Sequence, residues 1–405
     1  MEEDKKTRNK KRLWLWIGIP SALLILAAAM LFGMRYHRLR QAELLRAEAV
    51  PGTWIEIAPE GIVSGNGEPV YTEMRFGTEN KVIVLFYGGG VSVNEYMASR
   101  PYIGTWTFAD EIGFYAADLV GMIPDYLESG ISSSFRSNPF REWTVLIIPY
   151  TTGDFHLGTA DYEYTDMDGE QAVLHHHGYT NFRAIMDEAM LYLDGDPEQL
   201  LIAGWSAGGF GAAALAGELM EDYFPGAGHT TLCVDSSILL WDGFAETAKE
   251  VWGAPDEISD RIRTENLIVD LMSSLYDTWG DSITYLYIGS TRDGALARYQ
   301  NYMNTGVYRV SNAQGQLFLL SLRDTLNELK QKIPELDVYL FDDIPFSMYP
   351  SQFRLTQHTM LLSPMMFTQQ TDRISPADWL LNAAEGRAED HGMQLLQGGQ
   401  WFAFF

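Results

Sequence analysis

The most uniform stretch of the 405-residue chain comes near its start: Leu13 to Met34 carries no charged side chain over 22 residues. A helix of that length spans a hydrocarbon core of about 30 Å. Trp14 and Trp16 sit near its beginning, where interfacial aromatic residues belong. The apolar part of a cleaved signal peptide is shorter, about 7–15 residues, although Ala27-Ala28-Ala29 resembles a cleavage site. The pattern predicts an uncleaved transmembrane signal anchor over 13–34. Lys5, Lys6, Arg8, Lys10, Lys11 and Arg12 precede it, and Arg35, Arg38, Arg40 and Arg46 follow. The larger basic cluster places the 1–12 tail in the cytoplasm and the rest of the chain outside it. Residues 35–50 hold no glycine or proline and read as a helical stalk at the cell membrane, which Pro51-Gly52 ends.

From 51 to 405 the pattern reads as one large domain. Thr53–Ile57 and Tyr71–Arg75 alternate apolar and polar positions, as an antiparallel pair at a sheet edge does. Lys81–Tyr87 and Trp143–Pro149 are nearly continuous apolar runs, the mark of strands covered on both faces. Leu200–Trp205, Thr230–Asp235, Tyr285–Ser290 and Asp337–Phe341 follow as further strands. Between them, Asn181–Leu193, Ala207–Leu219 and Leu317–Leu329 have helical spacing, and Ser375-Pro376 opens a last helix to Glu385. Apolar strands alternating with helices predict an α/β fold, a mostly parallel central sheet with helices on both faces.

Composition narrows the partners. The net charge is −26 although the first twelve residues are net basic, so the domain is strongly acidic. Such a surface repels nucleic acid and other polyanions. The single cysteine, Cys233, lies in an apolar run and forms no intramolecular disulfide.

The chemistry centres on Gly204-Trp205-Ser206-Ala207-Gly208, a G-x-S-x-G between a predicted strand and a predicted helix. That is the layout of a nucleophile elbow, whose tight turn exposes a serine hydroxyl. A serine needs a base, and the base needs an orienting acid. In the elbow arrangement the acid and then the histidine follow the serine in sequence, each after a strand. Of eight histidines, His358 lies after the last strand and is the chosen base; His391 lies beyond the final helix. Asp293 follows Tyr285–Ser290 directly and is the first choice of acid. Asp235 is the runner-up, with Asp342 and Asp343 behind it. An oxyanion is expected to bind the Ala207 amide and amides of Gly88-Gly89-Gly90, after the first buried strand. His175, His176 and His177 lie near Asp166, Asp168 and Glu170. Adjacent histidines on one regular element point apart, and neither H-E-x-x-H nor paired cysteines occur. No metal and no cofactor are expected.

These motifs resemble the pectin acetylesterase family. The likeness rests on Phe86-Tyr-Gly-Gly-Gly90, Ile131-Ser-Ser-Ser134 before Asn138-Pro-Phe140, and Ile148-Pro-Tyr-Thr-Thr-Gly-Asp-Phe-His-Leu-Gly158. It continues in His177-Gly178 with Asn181, Gly204-Trp-Ser-Ala-Gly-Gly209 and Val234-Asp-Ser236. It covers about 81–240 well, and a bacterial type of member is the nearest fit. The resemblance implies an α/β-hydrolase fold, a triad of Ser206, Asp293 and His358, and oxyanion donors at Gly89, Gly90 and Ala207. It also implies that Asp235 belongs to a sheet-end motif. The activity implied is hydrolysis of acyl esters, acetyl on carbohydrate first; a lipid esterase, a peptidase and a non-catalytic binding protein are the alternatives. Where eukaryotic members have cysteines, this chain has Val91-Ser92 and Thr151-Thr152. Val91 also replaces the usual tryptophan.

Overall fold

The computed structural model describes residues 49–102, 113–124, 128–342 and 351–397, together with 40, 44 and 45. The expected tail, the 13–34 anchor and most of the stalk lie outside the described residues. No helix among the described residues is long and apolar enough to cross a membrane. The chain divides into two compact units, 1–49 with 191–193, and 50–190 with 194–405. The second holds every element named below.

Its main sheet has eight strands. In chain order they are β1 (Trp54–Ile57), β2 (Thr72–Arg75), β3 (Lys81–Phe86) and β4 (Thr144–Ile148). Then, after a separate antiparallel hairpin of β5 (Ala160–Thr165) and β6 (Gln171–His176), come β7 (Gln199–Trp205), β8 (His229–Asp235), β9 (Ile283–Ser290) and β10 (Asp337–Phe341). The spatial order is β1-β2-β4-β3-β7-β8-β9-β10. β1 pairs antiparallel with β2, and β2 with β4; every other neighbouring pair is parallel. The expected antiparallel edge and parallel centre are both present. The interiors of β3, β4, β7 and β8 are buried along nearly their whole length, which is why their sequences are apolar runs.

Chain order fixes where a site can form. From β3 the sheet grows one way, to β4; from β7 it grows the other way, to β8, β9 and β10. The crevice at the carboxyl ends of β3 and β7 is therefore a topological switch point, where open α/β sheets bind ligands. Among the described residues, the helices longer than seven residues are α1 (Gly178–Ala189), α2 (Ala207–Glu218), α3 (Leu267–Trp279), α4 (Gly294–Thr305), α5 (Asn312–Lys332) and α6 (Pro376–Ala384). α2 is buried on all sides from Ala207 to Ala216, so only small side chains and a few large apolar ones fit. A Cβ at Gly204 would lie 2.1 Å from the Gly208 carbonyl oxygen, which is how closely α2 rides on β7. α6 starts as its sequence predicts, with the Ser375 hydroxyl accepting the Asp378 amide and Pro376 in first position.

One predicted helix is displaced. Asn181–Leu193 forms at 178–189, because the buried Asp154 carboxylate accepts the Gly178 N–H at 2.8 Å and starts the helix three residues early. The β5–β6 hairpin, α3 and α4 add to the predicted elements.

Candidate active site

Ser206 joins β7 to α2 with φ 54° and ψ −125°, a conformation that costs a non-glycine residue about 1–3 kcal/mol. Hydrogen bonds hold it there. Its N–H donates to the Asp235 carbonyl at 2.7 Å; its own carbonyl accepts the Gly209 N–H at 3.0 Å and the Ser237 hydroxyl at 2.7 Å. Trp205 and Ala207 on either side are buried, whereas Ser206 is part-exposed. The turn thus spends backbone strain on presenting one side chain.

The loop after β3 packs against this elbow. A Cβ at Gly88 would lie 2.2 Å from the Trp205 carbonyl oxygen and 2.9 Å from the Ser206 Cβ, so only glycine lets the two segments meet. Beyond it, carbonyls are tied down and amides are left over. Gly89 O accepts the Ala116 N–H at 2.8 Å, and Gly90 O accepts the Tyr150 hydroxyl at 2.8 Å. Among the described residues, nothing accepts the N–H of Gly89 or Gly90. Ala207 opens α2, where an N–H has no intrahelical acceptor. Spare amides at a switch point suit a developing negative charge.

Asp293 is fully buried and caps α4. Its Oδ1 accepts the N–H groups of Ala295 and Leu296, each at 2.9 Å; its Oδ2 lies 2.6 Å from Nδ1 of His358. The His358 side chain is 20% exposed. Burial pulls its pKa down, but the charge and hydrogen bond of Asp293, helped by the charge of Asp235, outweigh it, and the net shift is upward from 6.5. The loop bringing His358 in is laced to the end of β9: Thr356 N–H donates to Arg292 O at 3.0 Å and Thr356 Oγ1 to Ser290 Oγ at 2.8 Å.

Asp235, at the end of β8, is equally buried. Its Oδ2 accepts the N–H groups of Met360 and Leu361 at 2.6 and 2.7 Å, and its Oδ1 accepts the Ser236 hydroxyl at 2.9 Å. Burial pushes its pKa up to about 6, against the opposing pull of those hydrogen bonds. Asp235 holds the backbone beyond His358, whereas the carboxylate on the imidazole is that of Asp293. Asp342 follows β10, and Asp343 lies outside the described residues.

The other described histidines occupy different places. His156 and His176 are buried, with pKa values lowered to about 4 chiefly by burial. Each ring nitrogen that bonds meets a backbone carbonyl, Tyr87 O and Thr152 O respectively, both at 2.8 Å. His391 lies beside Tyr339 of β10, and His229 opens β8. His175 and His177 meet Asp161. The stretch after the triple glycine and the one after β4 lie side by side: Ser92 N–H donates to Gly153 O at 2.8 Å. Sequence reading passed over Ser237, Thr356 and Asp154, which position backbone rather than carry charge to a substrate. Their signal was adjacency to a motif, and nothing in their type marked them.

No protein-family model matches the chain, and no curated protein matches its sequence. Solved structures do match its fold. Two crystal forms of the Wnt deacylase Notum from Drosophila align with TM-scores of 0.54 and 0.55 at 16% and 15% identity. Each alignment covers 82% of this chain, and 93% and 92% of the Notum chains. The architecture is thus a Notum-like α/β fold, shared over nearly the whole of the compared protein.

Proposed function

We propose that this chain is a serine carboxylic-ester hydrolase. The observation that carries the reading is the 2.6 Å contact of the buried Asp293 carboxylate with Nδ1 of His358, at the end of the sheet where the Ser206 elbow stands. The Notum-like fold and the resemblance to pectin acetylesterases support it. With both oxygens of Asp293 engaged, the His358 proton stays on Nδ1 and leaves the Nε2 lone pair to take the Ser206 proton. Ser206 Oγ attacks the ester carbonyl, and the amides of Gly89, Gly90 and Ala207 receive the oxyanion. His358 returns the proton to the leaving alkoxide, giving an acyl-enzyme and the free alcohol. Water activated by the same imidazole then releases the acid. No cofactor enters this scheme.

The substrate we propose is a short acyl ester, acetyl on carbohydrate, met outside the cytoplasm by an enzyme anchored through residues 13–34. A longer acyl chain, as a lipid esterase on the same scaffold would take, is the alternative. A series of p-nitrophenyl esters from acetate to long-chain acids separates the two, since a long-chain optimum rejects acetyl removal. Ser206→Ala is expected to lower kcat about a million-fold and to abolish fluorophosphonate labelling. Absence of hydrolysis of every ester, with no labelling of Ser206, sinks the proposal.

A further inference from the structure

The histidine triplet holds a feature the triad does not use. His176 is buried and anchored to Thr152 O, which fixes the rotation of β6 and turns its neighbours the other way. All three side chains cannot converge, but the outer two do. Asp161 stands directly opposite His175 in the β5–β6 register. Its Oδ1 lies 2.6 Å from His175 Nδ1 and 2.9 Å from His177 Nε2. One donor atom from each residue lies within 4.8 Å of the others.

We propose that Asp161, His175 and His177 form a binding site for a divalent transition-metal ion of the zinc class. Two imidazole nitrogens and one carboxylate oxygen are the donors such ions take, at about 2.0–2.2 Å. Tetrahedral geometry at that radius separates donor atoms by roughly 3.3 Å. The two hydrogen-bonded contacts are shorter, so the Asp161 side chain moves outward by a fraction of an ångström when an ion replaces the shared protons. It is free to do so: it is 57% exposed, and its second oxygen has no partner among the described residues. The histidines are less free, because each comes from backbone that is held. His175 N–H donates to Gly65 O at 3.1 Å, and His177 O accepts the Asn181 N–H at 2.8 Å as α1 begins.

The site has a structural use. A two-stranded hairpin is marginal alone in water, and β5–β6 stands apart from the main sheet. An ion on these three residues ties β5 to the end of β6 and to the first turn of α1. Binding to the folded state alone raises stability by mass action.

The test uses the full-length protein without a histidine tag, stripped with a chelator and titrated with Zn²⁺ by calorimetry and with Co²⁺ by visible absorption. One ion per chain, a tetrahedral Co²⁺ spectrum and a higher Tm with Zn²⁺ are expected. The double variant His175→Ala/His177→Ala is expected to weaken Zn²⁺ binding more than the roughly 10–100-fold that loss of an outer partner costs and to lose the Tm rise. His229→Gln keeps both. Stoichiometric binding that survives in the double variant, or no stoichiometric binding in the parent chain, overturns the proposal. Its outcome is independent of whether Ser206 reacts with esters.

Discussion

Asp235 and Asp293 make a controlled pair. Each stands at the carboxyl end of a neighbouring parallel strand, Asp235 as the last residue of β8 and Asp293 just after β9; each is fully buried, and each accepts two backbone N–H groups on a single oxygen. They differ in where the second oxygen points. In Asp293 it meets the His358 imidazole; in Asp235 it meets the hydroxyl of the next residue. The two N–H groups differ as well: those of Asp293 open a helix that follows it in sequence, whereas those of Asp235 belong to the loop just beyond His358. One carboxylate acts on the imidazole, and the other on the backbone that delivers it. Burial and the paired amide bonds are therefore common to the proposed orienting acid and to Asp235; the partner of the second oxygen is what differs.

The largest effect that would sharpen this contrast is expected from Asp293→Asn. It removes the charge facing the imidazole and favours the wrong tautomer, which in a triad costs about 10⁴ in kcat. Steady-state ester hydrolysis checks it, and a variant with full turnover would break the assignment. Asp235→Asn should cost less, about 100-fold in kcat if the His358 loop shifts by an ångström, together with about 1–3 kcal/mol of stability from badly satisfied amides. Paired denaturant unfolding and kinetics measure both; a larger kinetic loss here than for Asp293→Asn would exchange the two roles.

Acidity offers a finer cut. His358 must be neutral to act as a base, and its pKa is raised, so the acid limb of kcat/KM should have its midpoint above 6.5. In Asp293→Asn the larger raising influence is gone, only that of Asp235 is left, and burial remains, so the limb of the residual activity should move down. Asp235 makes its mark on stability instead. Its folded pKa of about 6 lies above the ordinary 3.8, so the folded state binds the extra proton between those values. The stabilisation this gives is present below 3.8 and is lost as pH rises through about 6. Unfolding free energies of Asp235→Asn across that window should lack this fall. The smallest effect is expected from Ser236→Ala, which removes hydrogen bonds to Asp235 Oδ1 and from the Thr359 N–H. About 0.5–1.5 kcal/mol of stability and little change in kcat should result.

Much of this arrangement was legible in the chain. The apolar runs of β3, β4, β7 and β8 announce strands because both faces are covered, and order along the sequence was enough to put Ser206 after β7, Asp293 after β9 and His358 after β10. The geometry that distinguishes Asp293 from Asp235 was not legible, since both are aspartates at strand ends and His358, Met360 and Leu361 lie far along the chain. β5 was missed because its exposure alternates between half-buried and exposed, leaving no strong apolar period to read. The contact of His175 and His177 with Asp161 was not legible for a related reason. Adjacent side chains do diverge, as reasoned, but that argument leaves next-but-one residues on one side of a strand and says nothing of Asp161 across the hairpin.

The lacing of the His358 loop to the ends of β8 and β9 also bears on how the chain reaches its working state. Asp235 lies 125 and 126 residues before the amides it holds, and Asp293 lies 65 residues before His358. Contacts of such separation cost the most loop-closure entropy and form slowly. Helical signal on refolding is therefore expected to return before reactivity toward a fluorophosphonate does. Under the proposed function, reactivity of Ser206 then reports arrival at the native topology, because the elbow is local in sequence whereas its proposed base and acid come from far along the chain.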